Sequence, residues 1–88
     1  MRIIRSHQLG IEEARSRADE IAADLERQYS LTSRWQGDHL VVSGNGVNGQ
    51  LMVAADSIEL TLRLGFALKL MEGPIRTFIE ANIDEHLA

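Results

Sequence analysis

The 88-residue sequence contains no cysteine, one proline and only four aromatic residues. Without cysteine it can form neither disulfides nor zinc–thiolate sites, which fits a reducing compartment such as the cytoplasm. Its net charge of −4 lacks the excess of lysine and arginine that phosphate-binding surfaces need, so no nucleic-acid partner is expected. Glu59, Arg63 and Lys69 interrupt the most apolar stretch, which is too short to span a membrane. The first residues contain too few apolar side chains for a signal peptide.

The composition that is present is typical of a soluble globular domain, with 44% hydrophobic and 25% charged residues. A chain of this length supports one hydrophobic core and no more. The sequence contains no internal repeat, low-complexity tract or linker. Residues 1–88 are therefore predicted to form a single domain.

Two helices are predicted from apolar residues at helical spacing. The first runs from about Ile11 to Tyr29, with Glu12 and Glu13 in its first turn, where the helix dipole favours negative charge. The second begins at Gly73-Pro74, because proline is tolerated at the first helical position. Its apolar stripe consists of Ile75, Phe78, Ile79, Ile83 and Leu87.

A strand is predicted over residues 2–8, although the pattern does not decide which face of it is buried. For residues 65–72 the sequence does not decide between helix, strand and loop. One interpretation is a bend followed by a short helical turn. Four further strands are predicted between the two helices. Their connections are Gly37-Asp38, Asn45-Gly46, which is a strong hairpin signal, and Asp56-Ser57.

If each of these turns has two residues, the register of the sheet follows. The predicted pairs are Trp35 with Leu40, Leu40 with Leu51, Leu51 with Leu62, Val53 with Leu60, and Ala55 with Ile58. Every pair joins two apolar residues on one face, and a slip of one residue would turn that set towards water. The opposite face is mostly polar, as expected for an antiparallel sheet with one solvated side.

The predicted fold is α+β, with element order β-α-β-β-β-β-α and two helices packed on one face of an antiparallel sheet. It resembles a shortened helix-grip fold, in which a long C-terminal helix lies across a sheet and can enclose an apolar cavity. Gly49 is expected on the core face between Val42 and Leu64, where a missing side chain allows a helix or a ligand to approach closely.

No catalytic or metal-binding pattern stands out, and no cofactor is expected. Residues 44–49 match G-x-G-x-x-G, but a strand follows instead of the helix that a dinucleotide site requires, so a hairpin turn explains them better. His7, His39 and His86 are scattered without ligand spacing. A structural role is favoured for His7 over acid–base catalysis, and core packing is favoured for Trp35 over ligand stacking.

Several short motifs follow one another in a fixed order along nearly the whole chain. They are His7-Gln8-Leu9-Gly10, Glu13-Ala14-Arg15, Tyr29, Trp35-Gln36-Gly37-Asp38, Val47-Asn48-Gly49, the alternating residues 58–64, and Ile75, Ile79 and Ile83 of the last helix. As an ordered set they resemble the polyhydroxyalkanoic acid system protein family, small bacterial proteins associated with polyhydroxyalkanoate storage and its granules. The resemblance implies a granule-associated role and brings no assigned catalytic residue.

Three functional hypotheses follow. The first is a non-enzymatic accessory protein in the cytoplasm or at the granule surface, which binds the polymer, a hydroxyacyl-type ligand or a granule protein. The second is a helix-grip carrier or enzyme with a cavity near Gly49, for which His7 and Arg5 are the polar candidates. The third is a homodimer formed through the apolar segment 66–71, which is also the surface that the first hypothesis uses. The candidate ligand- or partner-binding residues are Phe66, Leu68, Leu70, Met71, Trp35, Gly49 and His7.

Overall fold

A computed structural model describes all 88 residues as a five-stranded sheet with helices on one face. The predicted α+β class, the element order and the antiparallel sheet are confirmed, with one short helix added between the last strand and the last long helix. The elements are β1 (Arg2–Ser6), α1 (Ile11–Tyr29), β2 (Thr32–Gln36), β3 (His39–Gly44), β4 (Val47–Val53), β5 (Ser57–Leu64), α2 (Phe66–Lys69) and α3 (Glu72–Leu87).

The sheet has the strand order β1-β5-β4-β3-β2, and all neighbouring strands are antiparallel. Alternate residues of each strand point to the helices and to solvent, as the pleat requires. The helix-facing residues of β3, β4 and β5 join α1 and α3 in one core of 19 buried hydrophobic residues. The opposite, outer face carries mostly polar side chains, as predicted.

Two of the three predicted turns are confirmed. Leu40 lies opposite Trp35 on β2 and opposite Leu51 on β4, so the turns at Gly37-Asp38 and Asn45-Gly46 have two residues each. Both Asn45 and Gly46 have positive φ angles, 48° and 81°, which is the conformation of a type I′ hairpin turn.

The third turn was predicted wrongly at Asp56-Ser57. Leu51 faces Leu60, and Val53 faces Ile58. The Ala54 N–H donates to the Ser57 carbonyl over 2.9 Å, which places the two turn residues at 55 and 56. The error is two residues in register, and an even shift leaves every side chain on its predicted face.

Gly49 lies opposite Val42, as predicted, but its partner on β5 is Leu62 and not Leu64. A Cβ atom at this position would lie 2.3 Å from the Thr61 carbonyl oxygen and 2.4 Å from Leu62 Cδ2. The space that the glycine leaves is therefore filled by the neighbouring strand, and neither a helix nor a cavity occupies it.

The helices α1 and α3 lie antiparallel, and a polar cluster joins them along one side. Asp24 Oδ2 accepts hydrogen bonds from Asn82 Nδ2 over 2.6 Å and from His86 Nε2 over 2.7 Å. The other ring nitrogen of His86 lies 3.0 Å from Glu20 Oε2. On the apolar side, Ile75, Ile79 and Ile83 of α3 are buried, as the predicted stripe requires.

The helix α3 begins at Glu72, two residues before the predicted start. Pro74 is therefore its third residue and not its first. This position is also compatible with proline, because the first four N–H groups of a helix have no partner within the helix.

The edge strand β1 buries Ile3 and points Arg5 to the same, helix-covered face. Arg5 Nη2 lies 2.9 Å from Glu80 Oε2, and Arg5 Nε lies 2.8 Å from Asp84 Oδ1, so this side chain ties the edge of the sheet to α3. The buried Ile3 and the ion-paired Arg5 therefore show which face of β1 points to the helices, a question that the sequence pattern did not answer.

The two long helices form an acidic layer. Together they contain ten of the thirteen carboxylate side chains and only four of the nine lysine and arginine residues. The outer sheet face, in contrast, carries Arg2, Arg34 and Arg63 with a single carboxylate, Glu59. Charge is therefore unevenly distributed between the two sides of the molecule.

Replacing Gly49 by alanine should destabilise the protein by about 1–3 kcal/mol, because the new methyl group overlaps a backbone carbonyl that cannot move without disturbing the sheet. Gly73→Ala is the matched control, since a Cβ there meets nothing within 4 Å. Urea unfolding followed by circular dichroism measures both. Equal stability of the two variants would contradict this account of Gly49.

The free energy of unfolding should fall in acid. Hydrogen bonds from Asn82 and His86 lower the pKa of Asp24 below its ordinary value of 3.8, and the Arg5 hydrogen bond lowers the pKa of Glu80 below 4.5. These carboxylates stabilise the fold above their unfolded-state pKa values, and this stability is lost as the pH falls through the lower folded values.

Asp24→Asn should therefore cost about 1–2 kcal/mol at pH 7 and reduce the loss of stability between pH 5 and 2, about the range over which such carboxylates titrate. Glu85→Gln, at an exposed position on α3 without a hydrogen bond, is the control. Chemical denaturation at several pH values measures the effect. An unchanged acid slope in Asp24→Asn would argue against a stabilising role of this carboxylate.

Candidate functional site

Three chain segments meet at one end of the molecule. The Gly65 N–H donates to the Gly46 carbonyl over 2.7 Å, which fixes the end of β5 against the β3–β4 turn. Asn45 Nδ2 donates to the carbonyls of Tyr29 at 3.3 Å and Ser30 at 3.1 Å, which the end of α1 leaves without helical partners. The turn, the end of α1 and the start of α2 are thus held together.

The single-turn helix α2 and the two residues that follow it expose large apolar side chains. Phe66 is 91% exposed, Leu70 89% and Met71 53%. Phe66 and Leu70 are four residues apart and so share one side of the turn. These three residues, here called the apolar tip, are the most exposed cluster of large hydrophobic side chains in the chain; Ile4, Ile11 and Met52 are exposed singly elsewhere.

Behind α2 lies a partly enclosed apolar crevice of about 110 Å³ between the helices and the sheet. Leu68, on the inward side of α2, contributes one wall. The remaining lining residues are Leu25, Tyr29, Leu31, Asn45, Val47, Leu62, Leu64, Ile75 and Ile79. Asn45 is the only non-hydrophobic member of the set, and no charged side chain is present.

The predicted candidates divide into two groups. Phe66, Leu68, Leu70 and Met71 come together at the apolar tip and its crevice. Gly49, His7 and Trp35 do not line the crevice, and each has a local role elsewhere.

His7 is buried near the turn between β4 and β5, where its ring joins two segments. Its Nδ1 accepts a hydrogen bond from the Leu9 N–H over 3.1 Å, so the proton of the neutral ring is assigned to Nε2. Nε2 then donates to the Ala54 carbonyl over 3.2 Å. Both ring nitrogens are thus used by backbone groups, in agreement with the structural interpretation of this residue.

Trp35 packs beside the first half of α1. Its Nε1 donates to Asp19 Oδ1 over 2.8 Å, and the Arg15 guanidinium lies 3.9 Å from the ring centroid in a cation–π contact. Both residues that contact the Trp35 side chain belong to α1, so the ring attaches the edge strand β2 to this helix.

No group of three or more histidine, aspartate or glutamate side chains is arranged to hold a metal ion. None of the helices combines the length and the apolar character that crossing a membrane would demand.

The model of a family provisionally named polyhydroxyalkanoic acid system protein matches residues 1–87. The chain belongs to this family. No curated protein matches the chain. No solved structure matches it either, so the predicted helix-grip resemblance is not confirmed.

Sequence reasoning missed the crevice, because most of its lining comes from positions assigned to the ordinary core. Tyr29, Leu31 and Val47 come from α1, the following loop and β4, and nothing in their local patterns marks them as neighbours. Leu68 was predicted as a binding candidate, and Asn45 and Tyr29 carried separate signals, as a turn residue and as the last residue of the α1 stripe.

His7→Ala should lower the free energy of unfolding by about 1–3 kcal/mol, because the Leu9 N–H and the Ala54 carbonyl both lose their partner. His39→Ala, on the solvated outer face, should change it little. Urea denaturation at pH 7.5 compares the variants. If His7→Ala is as stable as the wild type, its ring bonds contribute nothing to the fold.

Proposed function

We propose that this protein is a non-enzymatic accessory protein of polyhydroxyalkanoate storage that attaches to the apolar surface of the polymer granule through its apolar tip. The observation that carries the proposal is the exposure of Phe66, Leu70 and Met71 within the short segment formed by α2 and the two residues that follow it. In this role the protein resides in the cytoplasm at the granule surface.

The energetics support a surface contact of this kind. Full burial of one large apolar side chain stabilises by about 1.5–3 kcal/mol, and such clusters on soluble proteins mark interaction sites. The tip residues gain no such burial within the fold, and α2 has no buried residue of its own. Contact with an apolar polymer would remove these side chains from water at no cost to the core.

The composition of the site favours binding over chemistry. The crevice next to the tip is lined by nine hydrophobic residues and one asparagine. Such a lining can hold apolar groups, whereas acid–base or nucleophilic catalysis uses titratable groups positioned at the substrate.

Self-association through the same tip is a second candidate, since a partner copy would cover the same side chains. It predicts a sedimentation coefficient that rises with protein concentration in the absence of polymer. The Phe66→Ser, Leu70→Ser double variant should then remain monomeric over the same series.

The main test is co-sedimentation with protein-free polyhydroxyalkanoate particles. The wild type should pellet with the particles. The Phe66→Ser, Leu70→Ser variant should bind about 10- to 100-fold more weakly, because two exposed anchors become polar.

The matched control is Ile4→Ser, Met52→Ser, which replaces two exposed apolar residues on the outer sheet face. It should bind like the wild type. Failure of the wild type to pellet, or an equal loss in both double variants, would refute attachment through the tip.

A further inference from the structure

Two positively charged side chains without a partner lie beside the apolar tip. Six of the nine lysine and arginine side chains are engaged within the fold by a carboxylate, a backbone carbonyl or an aromatic ring. The three that take part in neither an ion pair nor a hydrogen bond are Arg34, Arg63 and Lys69. Arg63 precedes Phe66 by three residues and Lys69 follows it by three. Two of the three free cations therefore flank the tip.

Arg63 and Lys69 line the same open depression at the side of α2, which has a volume of about 350 Å³. Its surface is mostly polar, both cations are exposed, and Glu72 is the only carboxylate in its lining. The other lining residues are Met1, Leu62 and Leu64. The side chains around this depression thus carry a net positive charge in a protein whose net charge is −4.

The positive charge and the exposed apolar side chains belong to one continuous segment. Residues 60–71 contain Arg63 and Lys69 and no carboxylate. Lys69 lies on the same side of the α2 turn as Phe66 and Leu70, because residues three and four positions apart share a helix face. A lysine can keep its apolar stem on a nonpolar surface while its ammonium group extends to a polar layer. The tip is therefore an apolar patch with a basic margin.

This pattern restricts the kind of surface that the tip fits. A neutral apolar surface would use the three apolar side chains and leave the two cations without a partner. A layer of anionic lipids offers apolar chains beneath negative head groups, which is the arrangement that basic amphipathic segments bind.

The net negative charge of the protein does not oppose such a contact strongly. Most carboxylates lie on α1 and α3, which lead away from the tip, and α1 alone is about 28 Å long. At physiological ionic strength the Debye length is about 8 Å, so charges farther along the helices are screened from a surface at the tip. The local charge at Arg63 and Lys69 then decides the sign of the interaction.

We infer that the apolar tip together with Arg63 and Lys69 forms a docking surface for a layer of anionic phospholipid. Phe66, Leu70 and Met71 enter the acyl region, and the two cations pair with phosphate head groups at its edge. This inference rests on the proposed function in so far as both use the tip for attachment, and it adds a requirement for negative charge on the surface that the tip meets.

The experiment is co-sedimentation of the full-length protein with sucrose-loaded vesicles. Vesicles that contain phosphatidylglycerol should bind the protein, and vesicles of phosphatidylcholine alone should bind it about 25-fold more weakly, because each cation near an anionic surface strengthens binding about fivefold. Raising the ionic strength from about 0.1 to 1 M shortens the Debye length from about 10 to 3 Å and should remove this difference. An excess of glycerol phosphate, the free head group, should not release the protein, since it offers no apolar contact.

Two sets of variants test which residues form the surface. Arg63→Gln, Lys69→Gln should weaken binding to the phosphatidylglycerol vesicles by about 25-fold, and Arg63→Gln alone by about 5-fold. Arg34→Gln is the matched control, because it removes the third free cation, which lies on β2, three strands away from Arg63. It should bind like the wild type. Phe66→Ser, Leu70→Ser should lose vesicle binding as well.

Equal binding to both kinds of vesicle, release by glycerol phosphate, an equal loss in Arg34→Gln and Arg63→Gln, or vesicle binding that survives in Phe66→Ser, Leu70→Ser would each overturn the inference. Its failure is distinguishable from failure of granule attachment. Arg63→Gln, Lys69→Gln should still pellet with lipid-free polymer particles. A wild type that pellets with those particles but ignores phosphatidylglycerol vesicles would overturn the lipid surface and leave polymer attachment intact, and the reverse result would overturn polymer attachment alone.

Discussion

The apolar side chains of β3, β4 and β5 are shielded from water because α1 and α3 lie side by side on the same face of the sheet. This packing gathers the core of 19 residues and requires the two helices to be antiparallel neighbours. It also determines where the chain must cross from β5 to α3. The helix α2 makes this connection at one end of the helix pair. It packs against the core from outside and contributes no fully buried residue to it.

The fold was largely predictable for two reasons. The turn and helix signals are local, and the face on which a strand residue lies depends only on whether a register shift is odd or even. The Asn45-Gly46 turn and the α1 stripe each specify their structure within a few residues. The β4–β5 turn shows the limit: residues 54–57 offer no strong turn signal, and the register was wrong by two. The predicted faces survived because alternation along a strand has a period of two.

The site was only half predictable, for a physical reason. The exposure of Phe66 and Leu70 could be suspected from apolar residues in excess of what one sheet face needs. The crevice depends on side-chain volumes from several elements, and no local pattern records how well these fill space. The same holds for Gly49, whose missing side chain suggested a cavity on the helix side, whereas Leu62 and the Thr61 carbonyl occupy that space.

If the protein attaches to granules as proposed, its acidic helical layer has a consequence for how densely the copies can pack. Because the tip lies where α1 ends and α3 starts, both helices lead away from it, and copies attached side by side would turn their carboxylate-rich flanks towards one another. At physiological ionic strength the Debye length is about 8 Å, so this repulsion acts only between near neighbours. It would set a minimum lateral spacing in a dense layer without opposing the attachment of each copy, and added salt would let the layer pack more tightly.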